Sequence, residues 1–293
     1  MVQDQSFPAR FFRGVNVLLL TVLAVACLAP LIHVLAVSFS SRAPAVGGFV
    51  KFWPVDFTTA SYEKVLTSGA FINGLKMSLA RTFLGTALMM IVTILTAYPL
   101  AQTSRIFRGR SLFVGFLLFA MVFNGGLIPF YLVIRNLGLL DSVWALVLPF
   151  ALPIFNVIIL VNFFREVPQD LSDAAMIDGA SHWGMLFHVF LPLCKPALAT
   201  MTLFSAVYHW NEFFYGTIFM TSSSNLPLQA YLRQVVLLKD LSTLISDPSA
   251  FEKFSDKSLQ AATIFVTILP ILLVYPFLQR YFVAGARLGA VKG

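Results

Sequence analysis

Charged residues are scarce in this chain. Only 11% of its 293 residues are Asp, Glu, Lys or Arg, whereas about a quarter of a soluble domain is charged. Hydrophobic residues make up 58%, and the mean hydropathy is +0.84. A water-soluble fold of this length cannot enclose so much apolar surface. A soluble globular domain is therefore excluded, and lipid is the expected solvent for most of the chain.

Cysteine and the common catalytic motifs are also sparse or missing. Cys27 and Cys194 lie in or beside apolar segments with no metal-type spacing, so we expect small buried hydrophobes and no disulfide. The four histidines form no HExxH pair, and there is neither a GxSxG elbow nor a GxxxxGKS/T phosphate loop. We therefore expect no metal, no cofactor and no catalytic residue, and the chain cannot itself be an ATPase.

Long apolar runs dominate what remains. A hydrocarbon core of about 30 Å takes about 20 helical residues to cross. Six runs meet this length: Val15 to Phe39, Ile72 to Ala101, Ser111 to Ile134, Val143 to Phe164, His188 to Met220 and Ala261 to Phe282. The first is too long for the core of a signal peptide and lacks a small-x-small site followed by a polar segment. The predicted fold is all-α, a polytopic membrane protein with six transmembrane helices.

Short basic flanks predict the orientation of these helices. The segments Met1 to Gly14, Gln102 to Arg110 and Gln279 to Gly293 carry eight Lys or Arg residues against one acid. Such segments stay in the cytoplasm. Thr221 to Gln260 balances four bases with four acids, which fits the opposite face. We therefore predict a multi-pass protein of the bacterial cytoplasmic (inner) membrane with both termini inside.

One inside loop, residues 165–186, is acidic. It contains four acids, and Arg165 is its only Lys or Arg. Pro168 suits a first helical turn, Asp170 suits the positive end of the helix dipole, and Gly179 suits the left-handed residue that ends a helix. This pattern predicts a short helix.

The predicted helix has a face of small groups. Leu171, Ala174, Ala175 and Asp178 follow at i, i+3, i+4 and i+7, so another protein's surface can approach closely. The alternative is a helix lying on lipid headgroups, but that helix would need basic residues and a bulky apolar face. We therefore predict a docking helix.

The loop and several other segments resemble a known family. Asp173-Ala174-Ala175-x-x-Asp178-Gly179-Ala180, followed by Phe187 and Leu191-Pro192, resembles the signature loop of bacterial ABC importer permeases. From about Phe71 to Gly293 the chain resembles the permeases of carbohydrate-uptake ABC importers, the maltose-type group. The supporting segments are Phe123 to Pro129, Asn136 to Asp141, Trp210 to Phe214 and Gly289 to Gly293. Asp173 stands where the family usually has Glu.

The resemblance implies a fold, contacts and partners. The fold is that of a type I ABC importer permease with a cytoplasmic coupling helix near 169–180, divided into 1–70 (tail, first helix and periplasmic loop), 71–283 (transmembrane core) and 284–293 (tail). The residues expected to contact an ATPase are Asp173, Ala174, Ala175, Asp178, Gly179 and Ala180, with a second contact from Val291, Lys292 and Gly293. A frayed terminus is the alternative for that tail.

The same resemblance implies a non-catalytic subunit in a larger complex. The expected partners are a second homologous permease, two cytoplasmic ATPase subunits that bind ATP and Mg²⁺, a periplasmic or surface-tethered solute-binding protein and the lipid bilayer, with no nucleic acid. A secondary sugar transporter or channel that needs no ATPase is the main alternative. The sequence disfavours it, because no paired pattern of repeats and broken helices is evident.

Polar groups in apolar runs mark a candidate substrate pathway, because they are costly in lipid. The candidates are Asn124, Tyr131, Arg135, Tyr208, Trp210, Asn211 and Glu212, the last being the only acid deep in a predicted span. Aromatic faces stack on sugar rings, while Asn and Glu bind hydroxyls. Trp210-Asn211-Glu212 is alternatively a shared structural element.

The resemblance extends to permeases that take up polysaccharide breakdown products, alginate importers among them. The expected substrate is therefore an acidic oligosaccharide, with neutral oligosaccharides as the alternative. An anion would favour basic groups, so Arg135, Lys76 and Arg81 are the side chains to test for an acidic substrate, with Glu212 expected to turn toward protein groups. Lys76 and Arg81 are alternatively residues that extend to a membrane interface.

The basic flanks generate a prediction about topology. A reporter fused after Gly293 and one inserted near Arg108 should lie in the cytoplasm, whereas one near Ser223 should lie outside it. Paired fusions to a phosphatase that is active only outside and a fluorescent protein that folds only inside measure this. A cytoplasmic signal at Ser223 would contradict the orientation.

Overall fold

The computed structural model describes residues 7–103, 105–242 and 257–290, with side chains described up to 236 and 273 in the last two helices. The chain is helical, which confirms the all-α class, and no strand occurs among the described residues. The helices are α1 Phe7–Ser38, α2 Arg42–Gly47, α3 Ala60–Thr67, α4 Gly69–Ala101, α5 Arg110–Val122, α6 Leu127–Asn136, α7 Val143–Val147, α8 Ile154–Arg165, α9 Gln169–Ile177, α10 His182–Met185, α11 Leu191–Leu193, α12 Lys195–Asn211, α13 Phe214–Phe219, α14 Leu228–Ser242 and α15 Lys257–Ala290.

The apolar helices form fewer simple spans than the sequence predicts. Within the described residues, α1 and α4 are the two helices long and apolar enough to cross a membrane by themselves. Three more candidates are bent pairs: α5 with α6 by 112°, Val143–Phe150 with α8 by 46°, and His182–Leu193 with α12 by 83°. The described residues therefore provide up to five spans, and six are not confirmed. The apolar part of α15 is described as Lys257–Leu273.

Each bend has a local cause in the sequence. Asn124-Gly125-Gly126 separates α5 from α6, with Gly126 at φ +85° and its N–H donating to Asn124 Oδ1 at 2.9 Å. Pro153 precedes α8, and Pro196 lies in the first turn of α12 after Cys194. Glycine permits the positive φ, and proline cannot continue a helical hydrogen-bond ladder. Each of these three predicted runs therefore contains a break, and each bent pair counts as one span at most.

The described chain forms two compact units. Among the described residues, one comprises 7–68 with 232–242 and 257–269, and the other comprises 69–103 and 105–231 with 270–290. In the first, the Ser258 hydroxyl donates to the Ser40 carbonyl at 2.8 Å. In the second, α4 is the central helix and packs against α8 and α12. Every candidate site residue that the structure describes lies in the second unit. The division into segments 1–70, 71–283 and 284–293, expected from the resemblance, stays a prediction.

Two arginines close the C-terminal end of α4. Arg110 Nε donates to the Leu100 carbonyl at 2.9 Å, and the Arg165 guanidinium donates to the same oxygen at 3.4 Å. This carbonyl lies in the last turn of α4, where helical partners run out and the dipole is negative. Basic residues of the predicted cytoplasmic flank thus join the ends of α4, α5 and α8.

Asp141 joins the loop after α6 to the loop after α13. Its φ of +58° is uncommon for a residue with a Cβ. The carboxylate accepts hydrogen bonds from the Thr221 hydroxyl and from the N–H groups of Ser222 and Thr221, at 2.9 and 2.7 Å respectively. These hydrogen bonds lower the pKa of Asp141 from its ordinary value, because each favours the charged form of the carboxylate. The bond from the Thr221 hydroxyl makes the largest contribution, and the backbone bonds add to it.

These hydrogen bonds to the Asp141 carboxylate generate a prediction about the pH dependence of stability. Asp141→Asn should lower the melting temperature of the detergent-solubilised protein at pH 7. The pKa of Asp141 is lower in the folded state than in the unfolded state. The stabilisation by its charged carboxylate is therefore complete above the unfolded-state pKa and disappears as pH falls through the folded-state pKa. The difference between wild type and variant, followed by thermal unfolding, should therefore narrow below about pH 4.

A second left-handed aspartate provides the control. Asp56 has φ +51°, and its carboxylate accepts no hydrogen bond within the described residues. Asp56→Asn should leave the melting temperature nearly unchanged. A deficit in Asp141→Asn that stays constant from pH 7 to pH 3 would refute the role of the charge.

Candidate functional site

The acidic loop folds into the short helix that the sequence predicts. This helix, α9, begins at Gln169 directly after Pro168, whose ψ of 132° is extended. Pro168 thus flanks the first turn and does not lie within it. Asp170 lies in that turn, near the positive end of the helix dipole.

A glycine ends α9. The Ala180 N–H donates to the Ala175 carbonyl at 2.9 Å, and the Gly179 N–H to the Met176 carbonyl at 3.1 Å, which is the Schellman arrangement. Gly179 has φ +79°, which confirms the left-handed prediction. A Cβ at this position would meet no atom within 4 Å. Backbone conformation, and not crowding, therefore requires glycine here.

The outward surface of α9 is both acidic and apolar. Ala175 and Ala180 pack against the core of the second unit. Ile177 is 87% exposed, and Leu171 and Met176 are exposed as well. The surface also contains Asp170, Asp173, Ala174, Asp178 and Gly179. We call these eight exposed residues the α9 surface.

The face predicted from small residues is thus partly wrong. Ala175 points toward the core, while Met176 and Ile177, which occupy the two variable positions of the motif, are presented outward. A bulky apolar group is therefore present, as a lipid-bound helix would need. The three aspartates of the surface nevertheless oppose an anionic membrane, so the combination favours a protein partner.

The segment after α9 contacts an aromatic part of the core. The Ser181 hydroxyl caps α10 by accepting the Gly184 N–H at 3.2 Å. His182 Nδ1 then lies 3.4 Å from the Tyr98 hydroxyl on α4. The Tyr98 ring meets Phe164 and Phe190 edge-on, with centroids 6.5 and 5.3 Å apart. A displacement of α9 can therefore reach α4 through packed rings.

The predicted tail contacts Val291, Lys292 and Gly293 lie outside the described residues.

Arg81 and Glu212 form a buried ion pair between α4 and the end of α12. Arg81 Nη2 lies 2.6 Å from Glu212 Oε2, and Arg81 Nη1 donates to the Glu212 carbonyl at 2.8 Å. The Arg81 side chain is fully buried, and that of Glu212 is 9% exposed. The expectation that Arg81 extends to an interface is therefore wrong. Nor can this guanidinium serve an acidic substrate, because Glu212 already neutralises it.

Glu212 also starts the next helix. Its Oε1 accepts the Tyr215 N–H at 2.6 Å, in the first turn of α13. Glu212 follows the last residue of α12, so it lies at a helix break and not deep in a continuous span as predicted. Both carboxylate oxygens face protein groups, in line with the expected orientation.

A stripe on α4 meets these groups. The Ser78 hydroxyl accepts the Leu228 N–H at 2.8 Å. Gly85 lies against the buried His209 ring, and a Cβ there would fall 2.5 Å from ring atoms. Ser78, Arg81 and Gly85 follow at i, i+3 and i+7, so they share one face. Sequence reasoning missed this stripe, although small and polar residues at helical spacing in an apolar run would have revealed it.

The remaining pathway candidates divide into two groups. At the end of α12, Tyr208 is 40% exposed, Trp210 is buried and Asn211 is exposed. On the other side, Asn124 is exposed at the α5–α6 break, Tyr131 is half-buried on α6, and Arg135 is exposed near the end of α6. Asn124 shares a cavity with Phe214 and Tyr215, which follow Glu212. Lys76 is exposed on α4.

The cysteines and metal-binding residue types add no site. Cys194 is buried as expected, but Cys27 is exposed on α1, contrary to expectation, since none of the residues in the apolar window of that helix is buried among the described residues. No group of three or more His, Cys, Asp or Glu side chains able to hold a metal occurs in the described part of the chain.

Comparison with known proteins gives consistent matches. Residues 7–288 match the family described as the inner membrane component of binding-protein-dependent transport systems. Protein LplC of Bacillus subtilis (strain 168) is 39% identical over 97% of this chain and 96% of its own length. The polygalacturonan/rhamnogalacturonan transport system permease protein YtcP of the same organism is 38% identical over 94% and 96%.

A solved structure is similar over almost the whole chain. It is that of a bacterial ABC transporter involved in the import of the acidic polysaccharide alginate. Its matching chain is 34% identical, with a TM-score of 0.84, and the alignment covers 94% of this chain and 98% of that one. The broken helices described above thus belong to a fold found in an importer.

The buried ion pair generates a prediction about stability. Arg81→Met should lower the free energy of unfolding by about 3–5 kcal/mol, because it leaves the Glu212 carboxylate buried without its partner. The double variant Arg81→Met/Glu212→Gln should recover much of this loss, since no charge remains and the amide oxygen can still accept the Tyr215 N–H. Unfolding in mixed micelles measures both. Lys76→Met, at an exposed base on the same helix, is the control; a double variant no more stable than the single one would rule the explanation out.

Proposed function

Because the chain belongs to the family of inner-membrane components of binding-protein-dependent transport systems, we propose that it forms half of the membrane pore of an ABC importer for oligosaccharides. A second, homologous permease supplies the other half. Two cytoplasmic ATPase subunits bind ATP and Mg²⁺ and drive alternating access. A periplasmic or surface-tethered binding protein delivers the sugar, and this chain is a non-catalytic subunit with both termini in the cytoplasm.

The α9 surface carries the coupling part of this proposal. It exposes Ile177, Met176 and Leu171 among three aspartates, and exposed apolar side chains of this kind are stabilised when a partner covers them. The Schellman cap fixes its shape, so little conformational freedom is lost on binding. The ATPase is the partner that an importer permease requires on its cytoplasmic side. Asp173, Ala174, Asp178 and Gly179 contact it directly, while Ala175 and Ala180 anchor α9 to the core.

The proposed substrate is an acidic oligosaccharide, with alginate-derived chains as the first choice. Its support is the similarity to a chain of a transporter that imports an acidic polysaccharide and to a polygalacturonan/rhamnogalacturonan permease. Arg81 makes no contribution, because it is neutralised. Arg135 and Lys76 are the exposed bases that a carboxylate could meet.

A secondary transporter is the second candidate, and the three bent helix pairs are the observation that favours it. Broken helices are common in such carriers, and the sequence did not reveal them here. Family membership outweighs this observation. Dependence of uptake on ATP and on the ATPase subunits separates the two functions.

The coupling proposal predicts the effect of one exposed substitution. Ala174→Trp should leave the protein inserted but reduce both ATPase recovery with the tagged chain and oligosaccharide uptake into proteoliposomes by about tenfold or more, since about 1.4 kcal/mol of lost contact suffices. Ala174 is exposed, so the indole meets the partner and not the core. Ala175→Trp is less informative, because Ala175 packs against the chain's own core.

Gly179 provides a matched pair of variants, one that tests the docking role and one that serves as its control. Gly179→Val forces a β-branched residue into a left-handed conformation, at a cost of about 1–2 kcal/mol, and should weaken coupling. Gly179→Asn, which tolerates that conformation, should remain close to wild type. Wild-type ATPase recovery and uptake in both Ala174→Trp and Gly179→Val would refute the docking role. Uptake that persists without ATP would instead support the secondary transporter.

A further inference from the structure

A cavity of about 580 Å³ lies at the break between α5 and α6. Its lining includes Asn124-Gly125-Gly126, Phe130 from α6, and Phe214 and Tyr215 from α13. No lining residue is charged. The volume is in the range of small-molecule sites, which combine apolar and aromatic walls with a few polar groups.

The backbone at this break requires a polar environment. Asn124, Gly125 and Gly126 are non-helical and exposed. Irregular backbone persists at membrane depth only where it is enclosed by protein or lines a water-filled cavity, because lipid offers its N–H and C=O groups no hydrogen bonds. The break therefore faces protein or water and not acyl chains.

Two of the lining residues carry side-chain groups with unused hydrogen-bonding capacity. Asn124 Oδ1 accepts the Gly126 N–H, so the amide N–H groups of Asn124 remain available to donate. Neither this amide nitrogen nor the Tyr215 hydroxyl makes a hydrogen bond within the described residues. Aromatic rings beside an amide and a hydroxyl complement a sugar ring, which has C–H faces and a hydroxyl rim.

The aromatic wall is closely packed. The Tyr215 ring packs against Phe130, which also lines the cavity, and against Phe150, with ring centroids 5.6 and 4.8 Å apart. Its N–H is bound by Glu212, which Arg81 fixes in turn. A wall that is already ordered loses little freedom when a ligand binds. The buried ion pair thus positions the cavity, although neither charge lines it.

We infer that this cavity is a sugar subsite of the translocation pathway, which binds a pyranose unit through its ring faces and hydroxyl groups. The inference rests on the proposed function and adds to it a site within this chain. Because the lining is uncharged, the subsite accepts neutral and uronate units alike. Selection for an acidic chain then occurs elsewhere in the complex.

The test labels a cysteine placed in the cavity of the assembled complex. Leu127→Cys, in a background with Cys27→Ala and Cys194→Ala, should react with a charged, membrane-impermeant maleimide. An alginate trisaccharide at about ten times its Kd should slow labelling about tenfold by occupancy. The same trisaccharide with its carboxyl groups reduced to alcohols should protect equally. Both sugars are added without binding protein, so that delivery does not limit occupancy.

Two controls and a matched variant complete the experiment. Ser223→Cys, in the exposed loop after α13, should label at the same rate with and without sugar. Tyr215→Phe should raise the apparent Kd of both sugars by about two- to tenfold through the loss of one hydrogen bond. Tyr231→Phe, at a tyrosine that does not line the cavity, should leave it unchanged.

The possible outcomes separate the subsite from the function. Absence of labelling, or labelling that neither sugar slows, overturns the subsite. Protection by the acidic sugar alone overturns its indifference to charge. Uptake by the complex is measured in parallel: ATP-driven uptake without protection rejects the subsite only, whereas absence of ATP-driven uptake of any oligosaccharide rejects the proposed function and this inference with it.

Discussion

The second unit is organised around the ion pair between Arg81 and Glu212. In a chain surrounded by lipid, either charge alone would be severely destabilising, so the two segments that carry them must meet. The pair fixes more than a distance. Arg81 also binds the Glu212 carbonyl, which sets where α12 ends, and the second carboxylate oxygen binds the Tyr215 N–H, which sets where α13 begins. Gly85 on the same face of α4 then admits the His209 ring.

One helix connects this pair with the region of the α9 surface. The 33 residues of α4 span about 50 Å at 1.5 Å per residue. Near its C-terminal end, Tyr98 contacts His182, and the Leu100 carbonyl accepts bonds from Arg110 and Arg165. Toward its other end lies Arg81, behind the wall of the proposed sugar cavity. Contacts between packed rings, one continuous helix and an ion pair therefore form an unbroken physical route between the α9 surface and that cavity.

Sequence reasoning succeeded where the determining interactions are local. The left-handed conformation of Gly179 follows from its own short motif, and the helical class follows from composition. It failed at the bends, because an average over an apolar run gives little weight to Gly125 and Gly126 or to a single proline. It also failed for Arg81, whose partner is 131 residues away in the chain. The outward position of Ile177 depends on which side of α9 the core occupies, and spacing alone does not specify this.

Three arginines of the second unit are engaged by protein groups. Arg81 pairs with Glu212, while Arg110 and Arg165 bind the Leu100 carbonyl at the end of α4. The proposed pathway for an acidic oligosaccharide gains from this arrangement, because transport requires binding strong enough for entry and weak enough for release. A buried, unpaired arginine would hold a uronate tightly. Ring faces and neutral hydrogen-bonding groups bind each sugar unit more weakly, so a chain of units can move on when the pathway opens to the other side.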